Sequence, residues 1–402
     1  MHKSTFFTGQ PIFSQLLKFI PRPVISRIAA DQQADRYCKR FSTYDHLVCM
    51  LYGVLNQCTS LREITTGMLA CEHRLVHLGV SHHPRRSTIS DANKRRSADV
   101  FELLYTKLFE RYSHFLSDSR SRSRASRLYI FDSTTISLFR EVLKASGKTP
   151  ANGRRKGGIK VHTLIRSDQD VPCMIRYSPG AANDMSFLKQ VRLPRGSWLA
   201  FDRGYNNYTE FNRFTAEGIS WVTRLSKHLC FGVTEQFAVT ENQGKKGVIA
   251  DQAVLLGIDY KPEKTRVRAR LIRFRDEGSG KVLEFLTNNF MLAPATIAAI
   301  YKKRWQIELL FKRIKQNYPL RYFLGDSENA ITIQIWCVLI ADLLLKIIKK
   351  GAKARCSFSN LAAIVRLHLM TYIDLFVFLK HPERALLKKM KSLPAAPMLF
   401  SP

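Results

Sequence analysis

Acidic residues are in short supply in this sequence: 32 Asp and Glu stand against 64 Lys and Arg over 402 residues, a formal net charge of +32. The excess of base runs along the whole chain rather than in one tail. It favours a polyanionic partner, because each phosphate neutralised by Lys or Arg releases condensed counterions. Nucleic acid is the first candidate and an anionic membrane surface its rival. Long apolar runs are few as well. Asn329 to Ala341 is uncharged for 13 residues and then meets Asp342 and Lys346, whereas a spanning helix needs about 20. That argues against a membrane span and predicts a buried helix. Ile12 to Ile20 is interrupted by Ser14, Gln15 and Lys18, so the apolar core of a signal peptide is missing. The eight cysteines are scattered without a CxxC pair, which argues against a zinc ribbon and for reduced thiols in a cytoplasmic protein. His82 and His83 likewise lack the Cys or His partners of a zinc site. No internal repeat is visible.

What is present is a globular chain. Hydrophobic residues make up 45% and charged residues 24%, enough apolar material for a real core, and the length implies two or three structural units. Residues 1–118 read as helical, with Leu47, Val48, Met50, Leu51, Val54 and Leu55 at helical spacing and Ser60 followed by Glu63 as a capping box. Ser87-Thr88-Ile89-Ser90-Asp91 opens a second helix that runs into Lys94, Arg95 and Arg96. With Arg85 and Arg86 this is either a groove- or phosphate-contacting helix or a solvated cationic face. Residues 119–127 form a Ser/Arg linker. Residues 128–226 alternate strands and helices: Leu128 to Phe131, Ile159 to Ile165, Met174 to Tyr177, Trp198 to Phe201 and Trp221 to Thr223 as strands, with helices near Asp184 to Val191 and Thr209 to Glu217. This describes a mixed sheet with helices on its faces. Short strands with Gly and Asn turns fill 227–290, and helices return across 291–350 and 351–402.

Two acids stand at the ends of apolar strands: Asp132 after Leu128 to Phe131, and Asp202 after Trp198 to Phe201. If those strands are neighbours, the carboxylates converge at one edge of the sheet. Glu308 falls in an apparent helix from Pro294 to Gln316. At about 100° per residue, Tyr301, Arg304, Lys312 and Lys315 all lie within about 40° of Glu308 around the axis. A carboxylate flanked by such donors suits a cation held beside a phosphodiester; the alternative is a solvated stripe with i, i+4 pairs. Trp305, Ile307, Leu309, Leu310, Phe311 and Ile314 cover much of the remaining surface, so burial on several sides is expected.

The order Asp132, Asp202, Glu308, with Tyr301-x2-Arg304-x3-Glu308-x6-Lys315, resembles the DDE transposases of bacterial insertion sequences, in the Tyr-Arg-Glu-Lys signature group typified by insertion sequence four. Ile130-Phe131-Asp132-Ser133-Thr134, Phe201-Asp202-Arg203-Gly204-Tyr205 and the stretch Phe41 to Ile64 support the resemblance. It implies an α/β fold: a ribonuclease-H-like mixed-sheet catalytic core interrupted by a β-rich insertion (227–290), preceded by an α-helical DNA-binding domain and followed by C-terminal helices. It implies cleavage of insertion-sequence ends and their joining to target DNA by phosphoryl transfer. Asp132, Asp202 and Glu308 would be both the catalytic and the metal-binding residues, for two Mg2+ ions with Mn2+ as a substitute. Tyr301, Arg304, Lys312 and Lys315 would hold phosphates of the transposon end. The partners implied are terminal inverted repeats and target DNA, with a homodimer on paired ends, no membrane, and residence in the bacterial cytoplasm with the nucleoid.

Relatives that form a DNA hairpin stack a flipped base on a tryptophan of the insertion. Residues 227–290 contain no Trp; Phe231, Phe237, Tyr260, Phe274 and Phe285 are the aromatics there, each expected in the core. Arg154, Arg155 and Lys156, before Gly157-Gly158, are further candidates for DNA contact, and His162 is a core histidine or a contact. Lys346, Lys349, Lys350, Lys353 and Arg355 make a late basic cluster, for DNA flanks or for solvent. Two other functions fit parts of the chain: a catalytically silent, transposase-derived DNA-binding protein, and a ribonuclease-H-like nuclease acting on RNA or hybrids. The intact acids argue against the first, the helical N-terminal region and the signature helix against the second.

Overall fold

The computed structural model describes residues 8–117, 127–137, 158–179, 185–226, 229–257, 266–320 and 322–381. Most of the Ser/Arg stretch, together with Arg154, Arg155, Lys156 and Tyr260, lies outside the described residues. The chain divides into two compact units, residues 1–116 with 313–402 and residues 117–312. The first unit thus draws on both ends of the chain, a pairing absent from the linear segmentation drawn from sequence.

The first unit is helical. It opens with α1 (Ile12–Leu17), α2 (Arg22–Asp31), α3 (Thr43–Leu55), α4 (Leu61–Ala70), α5 (Glu72–Leu78), α6 (Arg86–Arg95) and α7 (Asp99–Leu116). Caps set several starts. The Ser42 side chain accepts from the Asp45 N–H while Asp45 accepts from the Ser42 N–H, a full capping box at α3. Ser60 caps α4 through the Glu63 N–H, but the Glu63 carboxylate reaches back one residue further, to the Thr59 N–H at 2.7 Å.

The second unit is built on one mixed sheet. Its strands are β1 (Leu128–Ser137), β2 (Gly158–Arg166), β3 (Val171–Pro179), β4 (Trp198–Phe201), β5 (Ser220–Arg224), β6 (Phe231–Phe237), β7 (Val248–Leu256), β8 (Val267–Arg275) and β9 (Val282–Thr287). Helices α8 (Met185–Leu188), α9 (Tyr208–Ala216) and α10 (Glu241–Lys245) fall between them, and α11 (Pro294–Lys302) and α12 (Trp305–Asn317) follow. The strand order is β3-β2-β1-β4-β5-β9-β8-β7-β6. β1 pairs antiparallel with β2 and parallel with β4, and β4 pairs parallel with β5. The strands of 227–290 do not form a sheet of their own. β9 pairs antiparallel with β5 and extends the same sheet.

Alternation along the strands buries both faces. On one face Phe131, Phe201, Trp221 and Leu286 pack with Phe187, Phe211 and Phe214 from α8 and α9. Phe211 stacks on Trp221 at 4.3 Å between centroids. Each such side chain removed from water contributes about 1.5–3 kcal/mol. The other face of β5 and β9 carries α11, whose Tyr301 ring lies 5.1 Å from that of Phe285. β1 extends beyond Phe131 to Ser137, so Asp132 lies within a strand, not after one, because β2 continues the ladder where β4 stops.

Helix α13 (Glu328–Gly351), followed by α14 (Phe358–His368) and α15 (Leu375–Lys380), completes the helical unit. α13 packs against α3, α7 and α14. It is long and apolar enough to cross a membrane, but 89% of its most apolar window is buried inside the protein. The buried Gln334 accepts from the Leu324 N–H at 2.8 Å and donates to the carbonyls of Pro319 and Tyr322.

Candidate active site

The register of β1 and β4 sets the site. Phe131 stands opposite Phe201 in the parallel pair, so Asp132, within β1, and Asp202, just past the end of β4, follow the same paired level of neighbouring strands. Because Phe131 and Phe201 both point into the α8–α9 face, alternation turns the two acids towards the opposite face. Glu308 comes from the first turn of α12. The expected continuous helix through residues 294–316 is broken: α11 ends at Lys302 and α12 starts at Trp305. The cause is a tightened turn. Arg304 N–H bonds to the Tyr301 carbonyl, and Gln306 N–H to that of Lys303, each three residues back.

Arg304 sits at this break and is the hub. Its guanidinium donates to Asp132 Oδ2 at 3.3 Å and to Glu308 Oε1 at 2.6 Å. The Arg304 side chain is 11% exposed, against 19% for Asp132 and 33% for Glu308. Tyr301 completes the group, its hydroxyl 3.5 Å from Asp202 Oδ1, the outer limit of a hydrogen bond. Burial pushes the Tyr301 phenol up to about 12, so it stays a donor. Burial also pushes the Asp132 carboxyl up to about 6. The Ser133 N–H and Arg304 oppose that rise, while the charges of Asp202 and Glu308 add to it. The Ser133 N–H donates to Asp132 Oδ1 at 2.8 Å.

Asp132, Asp202 and Glu308 offer oxygen donors alone, a hard set that suits Mg2+ or Mn2+. In the present arrangement no three acidic, His or Cys side chains among the described residues stand close enough to grip one ion. The guanidinium of Arg304 lies between Asp132 and Glu308 and already supplies their positive charge. The donor chemistry fits a divalent ion, provided that this guanidinium moves aside.

Other residues singled out in the sequence fare differently. Lys312 and Lys315 are exposed on α12. Arg85, Arg86, Lys94 and Arg95 are exposed on or beside α6, with Arg95 ion-paired to Asp91. Arg96 is a correction. It is only 4% exposed, and its guanidinium donates to Asp35 Oδ1 and to the Phe41 carbonyl. It ties the α2–α3 loop to the end of α6 and is not offered to a ligand. Trp305 and Leu309 are a second correction, at 58% and 52% exposed; the buried stripe of α12 is Ile307, Leu310 and Ile314. His162 is a core histidine, 2% exposed, stacked on Phe187 and bonded through Nε2 to Ser178 Oγ at 2.8 Å. Of the insertion aromatics, Phe285 is buried, while Phe231, Phe237 and Phe274 are half-buried.

Comparison with known proteins gives the family. Residues 123–344 match the transposase DDE domain, and residues 8–81 match a domain of unknown function. A putative transposase of Sinorhizobium fredii is 30% identical over 66% of this chain and 71% of its own length. A probable insertion-sequence transposase of Geobacillus stearothermophilus is 24% identical over 68% of this chain and 70% of its own. A putative insertion-sequence transposase of Synechocystis is 26% identical over 65% and 71%. Among solved structures, a piggyBac transposase synaptic complex with hairpin DNA aligns over 98% of this chain and 87% of that one, with a TM-score of 0.42 and 10% identity.

Proposed function

We propose, from the premise that this chain belongs to the DDE-domain transposase family, that it cuts the ends of an insertion sequence and joins them to target DNA through Asp132, Asp202 and Glu308. The reading is supported by the β1–β4 register, in which Asp132 and Asp202 each follow the last paired residues, Phe131 and Phe201, and by the link of Glu308 to Asp132 through the shared Arg304. DDE transposases depend on divalent metal. In this chain Asp132, Asp202 and Glu308 would hold two Mg2+ ions. Bound there, the ions supply Lewis-acid activation of the attacking hydroxyl and charge stabilisation of the leaving oxygen.

The chain's own residues do the rest. Arg304, released from the acids, offers a planar fork of donors to a phosphate. Tyr301, kept protonated, donates a hydrogen bond. Lys312 and Lys315 face solvent on the helix that carries Glu308 and add positive charge along the DNA backbone. Arg85, Arg86, Lys94 and Arg95 would contact DNA from the helical unit. We further read the protein as a dimer on paired ends, working in the cytoplasm with the nucleoid.

The test uses duplexes carrying the element's terminal inverted repeats. Asp132→Asn, Asp202→Asn and Glu308→Gln should each bind the ends as the wild type does and fail to cut them with Mg2+. Cutting by any of the three removes that acid from the mechanism. A wild-type chain that binds but never cuts would instead make this a silent DNA-binding protein.

A further inference from the structure

Tyr205 is the last residue of the single turn Arg203–Tyr205 that follows Asp202. It is 4% exposed and lies on the sheet face away from the acids. Its ring meets that of Phe131 edge-on, 4.5 Å between centroids. Its hydroxyl donates to Ser133 Oγ at 2.9 Å. Tyr205 therefore touches the residues immediately before and after Asp132 while belonging to the turn that begins with Asp202. Both ends of the link are short. The Tyr205 N–H bonds to the Asp202 carbonyl at 3.1 Å, and the Ser133 N–H holds Asp132 Oδ1 at 2.8 Å.

β1 and β4 pair as far as Phe131 and Phe201. Past that point the ladder between them ends, and β4 itself stops at Phe201, one residue before its acid. Backbone pairing alone does not hold Asp202 against Asp132. The Phe131 ring is braced from behind by Phe187, stacked at 4.9 Å, so the surface against which Tyr205 leans is fixed.

We infer that Tyr205 and Ser133 form a clamp behind the sheet that fixes the spacing of Asp132 and Asp202, which makes Tyr205 a positioning residue for strand cleavage. The inference rests on the proposed role of the two acids. Loss of the hydroxyl leaves the ring and the core in place but lets the turn after Asp202 drift relative to β1. Displacements well below 1 Å matter to a site in which two carboxylates share a ligand.

The variants are Tyr205→Phe and Ser133→Ala, each removing one end of the bond. In both, the melting temperature and the affinity for the end duplex should stay near wild type. The single-turnover cleavage rate should fall by about tenfold, with the duplex concentration at half-maximal rate unchanged. Mn2+ binding to the DNA-free protein, read by electron paramagnetic resonance, should weaken in parallel. The double variant should be no worse than either single one, because both remove the same bond. Asp132→Asn is run alongside. If it still cuts, the acid site itself is wrong. If it is dead while both clamp variants cut and bind Mn2+ like wild type, the clamp alone is refuted. Additive losses in the double variant also refute it, since the two hydroxyls would then act separately. Should Tyr205→Phe fold poorly, Ser133→Ala decides by the same readouts.

Discussion

Removing Arg304 should tighten, not weaken, the grip of the free protein on a divalent ion. The guanidinium bonds Asp132 at 3.3 Å and Glu308 at 2.6 Å, so a cation can recruit both acids only after two ion pairs break. Exposed pairs contribute about 0–1 kcal/mol and buried ones resist loss by about 3–5 kcal/mol. With Arg304 11% exposed but Glu308 33% exposed, solvent screening places the sum between those two figures, at about 1.5–3 kcal/mol. Arg304→Ala removes this competition together with a nearby positive charge. At pH 8, two units above the value near 6 to which burial raises Asp132, protonation does not interfere. Mn2+ affinity should then rise by about 10- to 100-fold, using 1.4 kcal/mol per decade, while cleavage of end duplexes falls because a phosphate donor is lost. The assay is Mn2+ titration of wild type and variant without DNA, followed by electron paramagnetic resonance, with melting curves to check folding. In wild type, an end duplex that draws the guanidinium onto phosphate should tighten Mn2+ binding in the same direction. Equal or weaker Mn2+ binding by a folded Arg304→Ala protein would overturn the reasoning.

Three further outcomes follow from buried charge. Because Asp132 holds a proton below about pH 6, Mn2+ affinity of the DNA-free wild type should drop ~tenfold per pH unit below that value, measured by the same titration; a flat profile between pH 4.5 and 6 would exclude Asp132 as a ligand. His46, fully buried, has its imidazole pushed down to about 3 by burial first and by the Arg96 charge second, against about 6.5 when unfolded. The unfolded chain then binds the proton that the folded one refuses, so stability is complete above about pH 6.5 and falls as pH drops towards 3. The loss should be about 2 kcal/mol by pH 5 in urea melts, and His46→Gln should flatten it. Asp342, 2% exposed, accepts from Arg313 at 3.1 and 3.0 Å. Asp342→Ala should cost about 3 kcal/mol of stability by removing the buried carboxylate that faces the half-buried Arg313 guanidinium, and the double change Arg313→Met with Asp342→Leu should recover most of it; equal melting of the single and double variants would contradict this.

The acids were legible in sequence because Leu128 to Phe131 and Trp198 to Phe201 are unbroken apolar runs, each closed by a carboxylate. Their adjacency was not legible, since only the parallel register states which strands are neighbours. The break at Lys303–Arg304 carries no Gly or Pro to announce it; a tightened turn made of ordinary residues leaves no compositional trace. The helical spacing does carry the burial of Arg96 and the exposure of Trp305 and Leu309. Ile89, Ala92 and Asn93 are buried, and Arg96 follows Ile89 at i+7, so the helical stripe already pointed that guanidinium inward. Ile307, Leu310 and Ile314 have the same spacing and leave Trp305 and Leu309 on the other side. The clamp at Tyr205 could not be seen at all, because its partners are 72 and 74 positions away in the chain.

A nine-stranded ribbon has two rims, and here neither invites company. Among the described residues, one rim is β3, which begins beside Pro172 and ends at Pro179, residues with no amide hydrogen to lend. The other is β6, whose middle residues point into water around Glu235 and whose ladder slips between Val233 and Glu235. A second copy meeting either rim therefore finds few backbone groups placed to continue the sheet.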